Sequence, residues 1–428
     1  MESRLDSLDR ACLAATREPW SSFAPTWKLD LSVRPEADVL QRAVDWAVRR
    51  TPWVSARVVG DTWVLPDAPQ LVFSSAADEQ EVLDRFLDVS QAPVELVLVP
   101  RDAGGVTLLF HQHHAVADGR AFLEFLGDFM SAWQAVERGE RVSPLPPDLV
   151  LRRRHREVIT TRGLARAGVF LGGALVSLAE LARAVLRPVA ALPSNTGTDF
   201  TGRNRSIHHF EPLTRIEAWR QARTRLGLST NDLLAGALLR SLNRWSSASG
   251  TEHTLLFPID VRPREGFRSF ANHLSNLHVR WRTSEGSALD CAKHVHDECA
   301  EPLRRRAPWR RVLFDSLVAA LTPVRVLRRA LLDERRLVTN FSFSNLLPLG
   351  LPGADDSGVW RTRSCTVEAV RITTPCVPPQ AVNLTVVRSG TRACFNFNFK
   401  DSAISEDQVR ALITFFQESL DELDARLR

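Results

Sequence analysis

The chain has 428 residues, 44% of them hydrophobic and 25% charged, long enough for two cores of ordinary size and too polar for a multi-span membrane protein. Its positive charge is almost all arginine, with Lys28, Lys293 and Lys400 the only lysines, and the net charge of +5 with a pI near 9.2 favours anionic partners. Tyrosine is absent, so no mechanism can use a phenol.

The first six residues, Met1-Glu2-Ser3-Arg4-Leu5-Asp6, are charged and no apolar run follows, which argues against a secretory signal and predicts a cytoplasmic protein. Residues 37–49 carry Val39, Leu40, Ala43, Val44, Trp46, Ala47 and Val48, a helix-like stripe with some spillover. Residues 54–59 and 62–65, separated by Gly60-Asp61, predict a hairpin. The apolar runs 94–99 and 106–111 predict two neighbouring buried strands. Phe122, Phe125, Leu126, Phe129, Met130 and Trp133 then fall on one helix face.

After a proline-rich loop at 143–147 comes the basic run Arg152-Arg153-Arg154-His155-Arg156. Residues 164–191 predict a long apolar helix, and its charge-free stretch 167–179 falls short of the roughly 20 residues a membrane span needs. Residues 193–204 read as a linker, dividing the chain into an N-terminal lobe, 1–195, and a C-terminal lobe, 196–428. The second half predicts helices at 215–225 and from Ser229 through Leu242, strands at 255–261, 277–282, 338–344, 382–387 and 393–399, and a closing helix from Ser405. In the last strand Phe395, Phe397 and Phe399 face one way and Asn396 and Asn398 the other.

Six cysteines at 12, 291, 299, 365, 376 and 394 show no repeated spacing and suggest no disulfide framework. Cys291, His294, His296 and Cys299 superficially suggest a metal cluster, but at about 100° per residue they spread over more than half a helix circumference, so no metal site is expected. No Walker loop, Gly-x-Gly-x-x-Gly or His-Glu-x-x-His is present. The arginines at 152–156, and Arg304, Arg305, Arg306, Arg310 and Arg311, are read first as solvated charged faces and second as contacts for phosphates, an acidic carrier or anionic lipid. Nucleic acid is not expected, because no aromatics interleave with these runs. Residues 312–332 form a basic amphipathic segment broken by Pro323. Such segments lie on membrane surfaces, so peripheral membrane contact is an expectation beside the simpler one of core packing around a lipophilic acyl pocket.

The segment with chemical promise is His111-Gln112-His113-His114-Ala115-Val116-Ala117-Asp118-Gly119, between a buried strand and an amphipathic helix. A strand end delivers side chains into a crevice from a rigid scaffold. His114 can act as a base near neutral pH, and Asp118 either caps the helix or pairs with a cation. The plain structural alternative is a polar strand terminus with an ordinary helix cap.

The spacing His113-His114-x-x-x-Asp118-Gly119 resembles the signature of the superfamily of chloramphenicol acetyltransferase, non-ribosomal peptide condensation domains, polyketide-associated acyltransferases and wax-ester synthases. Ser229-Thr230-Asn231-Asp232, Phe257-Pro258-Ile259-Asp260-Val261-Arg262, Ala271-Asn272-His273-Leu274-Ser275-Asn276 and Phe343-Ser344-Asn345-Leu346 are similar to supporting segments of that superfamily in the same order. The resemblance implies a mixed α/β fold of two lobes with a tunnel between them and His114 near its centre. It implies that His114 is the base, that Asp118 is structural and paired with an arginine, here Arg262, that His113 supports the loop, and that Gly119 permits the tight turn into the helix. Asn272, Ser344 and Asn345 are candidate tunnel-lining or oxyanion-donor residues.

The implied activity is that of a stand-alone acyltransferase. It would move an acyl group from acyl-coenzyme A, or from a phosphopantetheine thioester on an acyl or peptidyl carrier protein, to a hydroxyl or amine of a lipid-like or natural-product acceptor. No bound cofactor is implied beyond that thioester co-substrate. The alternatives are a condensation enzyme forming an amide and a non-catalytic relative that binds a carrier protein or lipid.

Overall fold

The computed structural model describes residues 1–16, 23–102, 104–140, 151–152, 163–186, 201–246, 252–263, 267–282, 286–321, 341–376 and 380–427. The first half contains β1 (Glu2–Arg4), α1 (Ser7–Ala15), β2 (Thr26–Leu31), α2 (Ala37–Arg50), β3 (Arg57–Val59), β4 (Thr62–Val64), β5 (Phe73–Ser75), α3 (Glu79–Leu83), β6 (Val94–Pro100), β7 (Val106–Gln112), α4 (Gly119–Glu137) and α5 (Gly163–Leu186). The second half adds β8 (Asn204–Pro212), α6 (Leu213–Ala218), α7 (Arg220–Leu226), α8 (Thr230–Trp245), β9 (Glu252–Asp260), β10 (Leu274–Arg282), α9 (Ala288–Arg304), α10 (Ala307–Leu321), β11 (Phe341–Asn345), β12 (Val367–Thr373), β13 (Val382–Ser389), β14 (Arg392–Lys400) and α11 (Glu406–Leu427).

The first lobe is built on a five-stranded sheet in the order β12-β2-β7-β6-β5, with the three-stranded β1-β4-β3 beside it. Every residue of β2 and β7 is buried. Phe110 meets Phe122, Phe125 and Phe129 of α4 edge-on at 5.4–6.3 Å between centroids, so the aromatic stripe that made α4 legible is the stripe that buries it. The opposite face of the same sheet packs Leu109, Val97 and Val99 over Val82 of α3.

The second lobe has a six-stranded sheet in the order β10-β9-β11-β13-β14-β8, in which β11 runs parallel to both neighbours. Capping boxes start α8, where Ser229 and Asp232 exchange bonds, and α9, where Ser287 and Asp290 do the same. Phe395 and Phe397 pack on Phe416 of α11 at 5.1 and 5.6 Å.

Between the lobes the chain crosses back. Strand β12, from the second half, pairs antiparallel with β2 and completes the edge of the first sheet. Its outward amides, Val370, Ile372 and Thr374, donate to Ser389 Oγ, Asn396 Oδ1 and Asn398 Oδ1 at 2.9, 3.1 and 3.1 Å. The two asparagines that alternate with phenylalanine on β14 therefore replace a neighbouring strand for β12. Asn398→Ala should lower stability by about 1–3 kcal/mol, because it removes a fully buried side chain that accepts from the Thr374 amide and donates to Asn383 Oδ1. A shift of the denaturant midpoint measures this, and an unchanged midpoint would show that the ladder contributes nothing.

The hairpin expected at 54–59 and 62–65 is shorter, since Pro52 starts a single 3-10 turn over 52–55 and the first strand begins at Arg57. The helix expected at 215–225 is two short helices meeting at Trp219, whose indole donates to Asp424 of α11 at 2.6 Å. Most of the predicted linker and of the segment after Leu321, with the Pro323 break, lies outside the described residues. Among the described residues no helix is long and apolar enough to cross a membrane. Helix α5 exposes Leu171, Leu175 and Leu178 to solvent.

Candidate active site

The motif occupies the turn between the end of β7 and the start of α4. Main-chain bonds fix its path: the His113 amide donates to Pro93 O at 2.7 Å, His114 to Phe23 O at 3.0 Å, and Val116 to His113 O at 3.0 Å. Ala115, Val116 and Ala117 are fully buried, whereas His114 is half-buried.

His113 points inward. Its Nδ1 accepts from the Ala115 amide at 3.1 Å, so Nε2 carries the proton and donates to Thr16 Oγ1 at 2.8 Å. Thr16 in turn donates to Cys12 O. Burial pushes the His113 pKa down to about 3, and the ring is a neutral strut.

Asp118 caps α4, accepting from the Ala121 amide at 3.0 Å. It also accepts from the His273 amide at 2.7 Å and from Arg262 Nη2, which lies 3.0 and 2.9 Å from its two oxygens. The two side chains are 0% and 1% exposed. Arg262 also bonds Asp260 Oδ1 and Ala271 O. Both sequence alternatives for Asp118, cap and ion pair, hold at once. Its oxygens are taken up by the Ala121 amide of α4 on one hand and by Arg262 and the His273 amide on the other, so the carboxylate has no orientation left for reacting groups.

The His114 ring stacks on Phe23, 5.2 Å between centroids at 10°. Its Nδ1 is buried without a hydrogen-bond partner among the described residues. Burial holds the ring below its usual pKa of 6.5, against its own carbonyl, Asp118 and Asn272, which favour the proton. The result is a neutral imidazole at neutral pH, accessible in part and bearing a lone pair.

Two expectations need correction. Asn272 is not a free oxyanion donor: it is 2% exposed, and its amide nitrogen donates to the carbonyls of His114 and Ala115 at 2.9 and 3.1 Å. Asn345 is committed as well, donating to Asn231 Oδ1 and accepting from the Leu347 amide at 3.0 Å. Gly119 opens α4 where space is short: a methyl group there would sit 3.1 Å from Leu346 Cδ1. That contact brings the end of β11 beside the start of α4. Ser344, half-buried and two residues before Leu346, stays a candidate donor.

The basic run also differs from expectation at its first residue. Arg152 is 3% exposed, paired with Asp9 of α1 at 2.7 Å, and its guanidinium lies 4.7 Å from the centre of the Trp63 ring. It donates to the carbonyls of Val116, Ala115 and Phe270. Residues 153–156 lie outside the described residues. Arg304 and Arg305 are exposed and pair with Glu301, as a solvated face requires. The cysteine–histidine set on α9 does not converge: His294 bonds Arg280 O, His296 bonds Asp232, and Cys291 and Cys299 are buried in the core.

Asp9, Arg152, Thr16 and Phe23 were not found by sequence reasoning. For Asp9 a signal existed: a carboxylate three residues before Cys12 on the buried face of a short helix. Nothing marks Phe23 or Thr16, which reach the motif only through the fold.

The fold, mixed α/β with mixed sheets that close into no barrel among the described residues, is similar to that of condensation domains and of acetyltransferases of known structure. Among solved structures the chain is similar to polyketide synthase associated protein 5 from Mycobacterium tuberculosis, with a TM-score of 0.69 and 15% identity over 99% of this chain and 100% of the other. It is also similar to the first condensation domain of the calcium-dependent antibiotic synthetase, with a TM-score of 0.71 and 14% identity over 99% and 96%. A third is the trichothecene 15-O-acetyltransferase from Fusarium sporotrichioides, with a TM-score of 0.71 and 14% identity over 98% and 94%. No protein-family model matches the sequence, and no curated protein matches it. At these identities the likeness is one of fold.

Proposed function

We propose that the chain is an acyltransferase that uses a thioester donor and His114 as its general base. One observation carries this reading: the loop presents a half-buried, neutral imidazole, while its neighbouring carboxylate, Asp118, is fully occupied by Arg262 and backbone amides. A ring in that state can accept a proton; a carboxylate in that state cannot.

In the forward step His114 takes the proton of an acceptor hydroxyl or amine as that atom attacks the thioester carbonyl. The tetrahedral intermediate collapses, the C–S bond breaks, and the imidazolium returns the proton to the departing thiolate. No covalent enzyme intermediate is needed. Among the cysteines, burial pushes the thiols of Cys376 and Cys394 up to about 12 and that of Cys12 higher still, so none of these is a ready nucleophile. Ser344 is the side chain offered for the oxyanion. Acid–base help supplies about 10²–10⁴-fold, and the rest falls to holding donor and acceptor together.

The donor is coenzyme A or a carrier-bound phosphopantetheine, and the acceptor a lipid-like or other small molecule. The fold likeness to a condensation domain supports a second reading, amide formation between carrier-bound substrates. The test presents acetyl, octanoyl and palmitoyl groups, each on coenzyme A and on a phosphopantetheinyl carrier, with mixed alcohol and amine acceptors, and follows thiol release and product mass. Ester or amide product from coenzyme A supports the first reading, and product from the carrier alone supports the second. Donor binding with no transfer from any arm overturns both in favour of a binding protein.

A further inference from the structure

Three successive carbonyls of the motif turn, those of His114, Ala115 and Val116, point away from the reacting side and onto two donors. Asn272 takes the first two, and Arg152 takes the second and third. Asp9 holds both donors, accepting from Arg152 at 2.7 Å and from Asn272 at 3.5 Å. Asp9 is itself fixed by the Trp63 indole at 2.9 Å and the Asp6 amide at 3.0 Å. Leu151, the residue before Arg152, accepts the Phe270 amide, and Arg152 donates to the Phe270 carbonyl, so the short strap 151–152 is tied to the second lobe's loop as well.

The turn is therefore held twice. The Asp118–Arg262 pair grips its downstream end, and Arg152, held by Asp9, grips the carbonyls of Ala115 and Val116. A single anchor leaves a turn free to pivot about it; a second anchor at the carbonyls that follow His114 fixes the backbone path there. We infer that Asp9 and Arg152 are positioning residues that set the depth and plane of the His114 ring through the backbone of residues 114–116. This deepens the general-base reading and rests on it.

Both residues are buried, so single replacements leave an unpaired charge and destabilise the fold whatever their role. The discriminating variant is the double replacement Asp9→Asn with Arg152→Met, which removes both charges and keeps the volumes. Replacing a buried pair by neutral groups often restores stability, but it leaves the Val116 carbonyl without its arginine donor and the Ala115 carbonyl with Asn272 alone. Expected are a melting temperature within about 4 °C of the wild type and, with the donor panel above, a kcat about 10- to 100-fold lower at a KM changed less than about threefold. Arg152→Lys, which keeps the charge but not the fork that spans the carbonyls, should show the same split.

A readout independent of turnover is the Hε1 resonance of His114 in histidine-labelled protein, assigned by its loss in His114→Ala. It should be single in the wild type and broadened or split in both variants. Wild-type kcat in either folded variant, or an unchanged resonance, overturns the positioning role. Transfer that survives His114→Ala overturns the general-base reading instead, and a broadened resonance would then still establish the clamp.

Discussion

His114→Ala should abolish most transfer, lowering kcat/KM by about 10²–10⁴-fold while the protein stays folded. The expectation follows from what surrounds the ring. Among the groups that touch the turn, His113 is neutral and spent on Thr16 and the Ala115 amide, Asp118 is spent on Arg262, and Asn272 is spent on carbonyls. Among the described residues, none of these other side chains is left free to take a proton from a substrate. The structural loss is small: the ring makes one aromatic stack, with Phe23, worth about 0.5–1.5 kcal/mol. Activity within about threefold of the wild type would mean that positioning alone drives the reaction.

Arg262→Met should destabilise the protein by roughly 3–5 kcal/mol, the usual result of breaking a buried pair from one side. Asp118 would keep its bonds from the Ala121 and His273 amides but lose its counter-charge in a fully buried position, and Ala271 O would lose a donor. The carboxylate would then have to take up a proton or admit water, and either change loosens the N-terminus of α4. Adding Asp118→Asn to Arg262→Met should recover part of the loss, because it removes the orphaned charge. Urea unfolding with an unchanged m-value measures both. A midpoint unmoved by Arg262→Met would show that the pair does not hold the turn.

Of the five strands of the first sheet only β6 and β7 were legible, and nearly all of the second sheet was, because these strands alternate or run apolar. Two of the strands that were missed, β2 and β12, hide their burial under charge. β2 reads Thr-Trp-Lys-Leu-Asp-Leu, and β12 carries Glu368 and Arg371. Lys28, Asp30, Glu79 and Arg371 are charged in the sequence yet mutually paired in the fold: Lys28 bonds Glu79 at 2.7 Å, and Arg371 bonds Asp30 at 2.6 Å and Glu79 at 2.7 Å. A hydropathy pattern scores each as surface, and only the tertiary partner reverses that reading. The site divides in the same way. His113, His114 and Asp118 sit within one short motif, and Arg262 followed from the resemblance that motif allowed. Asp9 and Arg152 are separated by 143 positions and share no pattern, so their pairing, and the reach of Arg152 to the Ala115 and Val116 carbonyls, was invisible before the fold. Arg152 was misread because a run of arginines ordinarily marks solvent.

The central claim is that His114 acts as a neutral base. The measurement that addresses it directly is the pH dependence of kcat/KM for transfer, with folding followed in parallel by circular dichroism. The parallel trace matters because His111, His113, His208 and His253 are buried neutral, with pKa values pushed down to about 4, 3, 3 and 4 from 6.5. Their stabilisation is complete above 6.5 and drains away as the pH falls toward those values, since the unfolded chain takes up the protons first. Within the folded range, burial lowers the His114 pKa, so activity should climb from the acid side with a midpoint below 6.5 and level off above it. A limb that rises only above 6.5, or activity that falls as the pH increases through this range, would contradict a neutral His114 base.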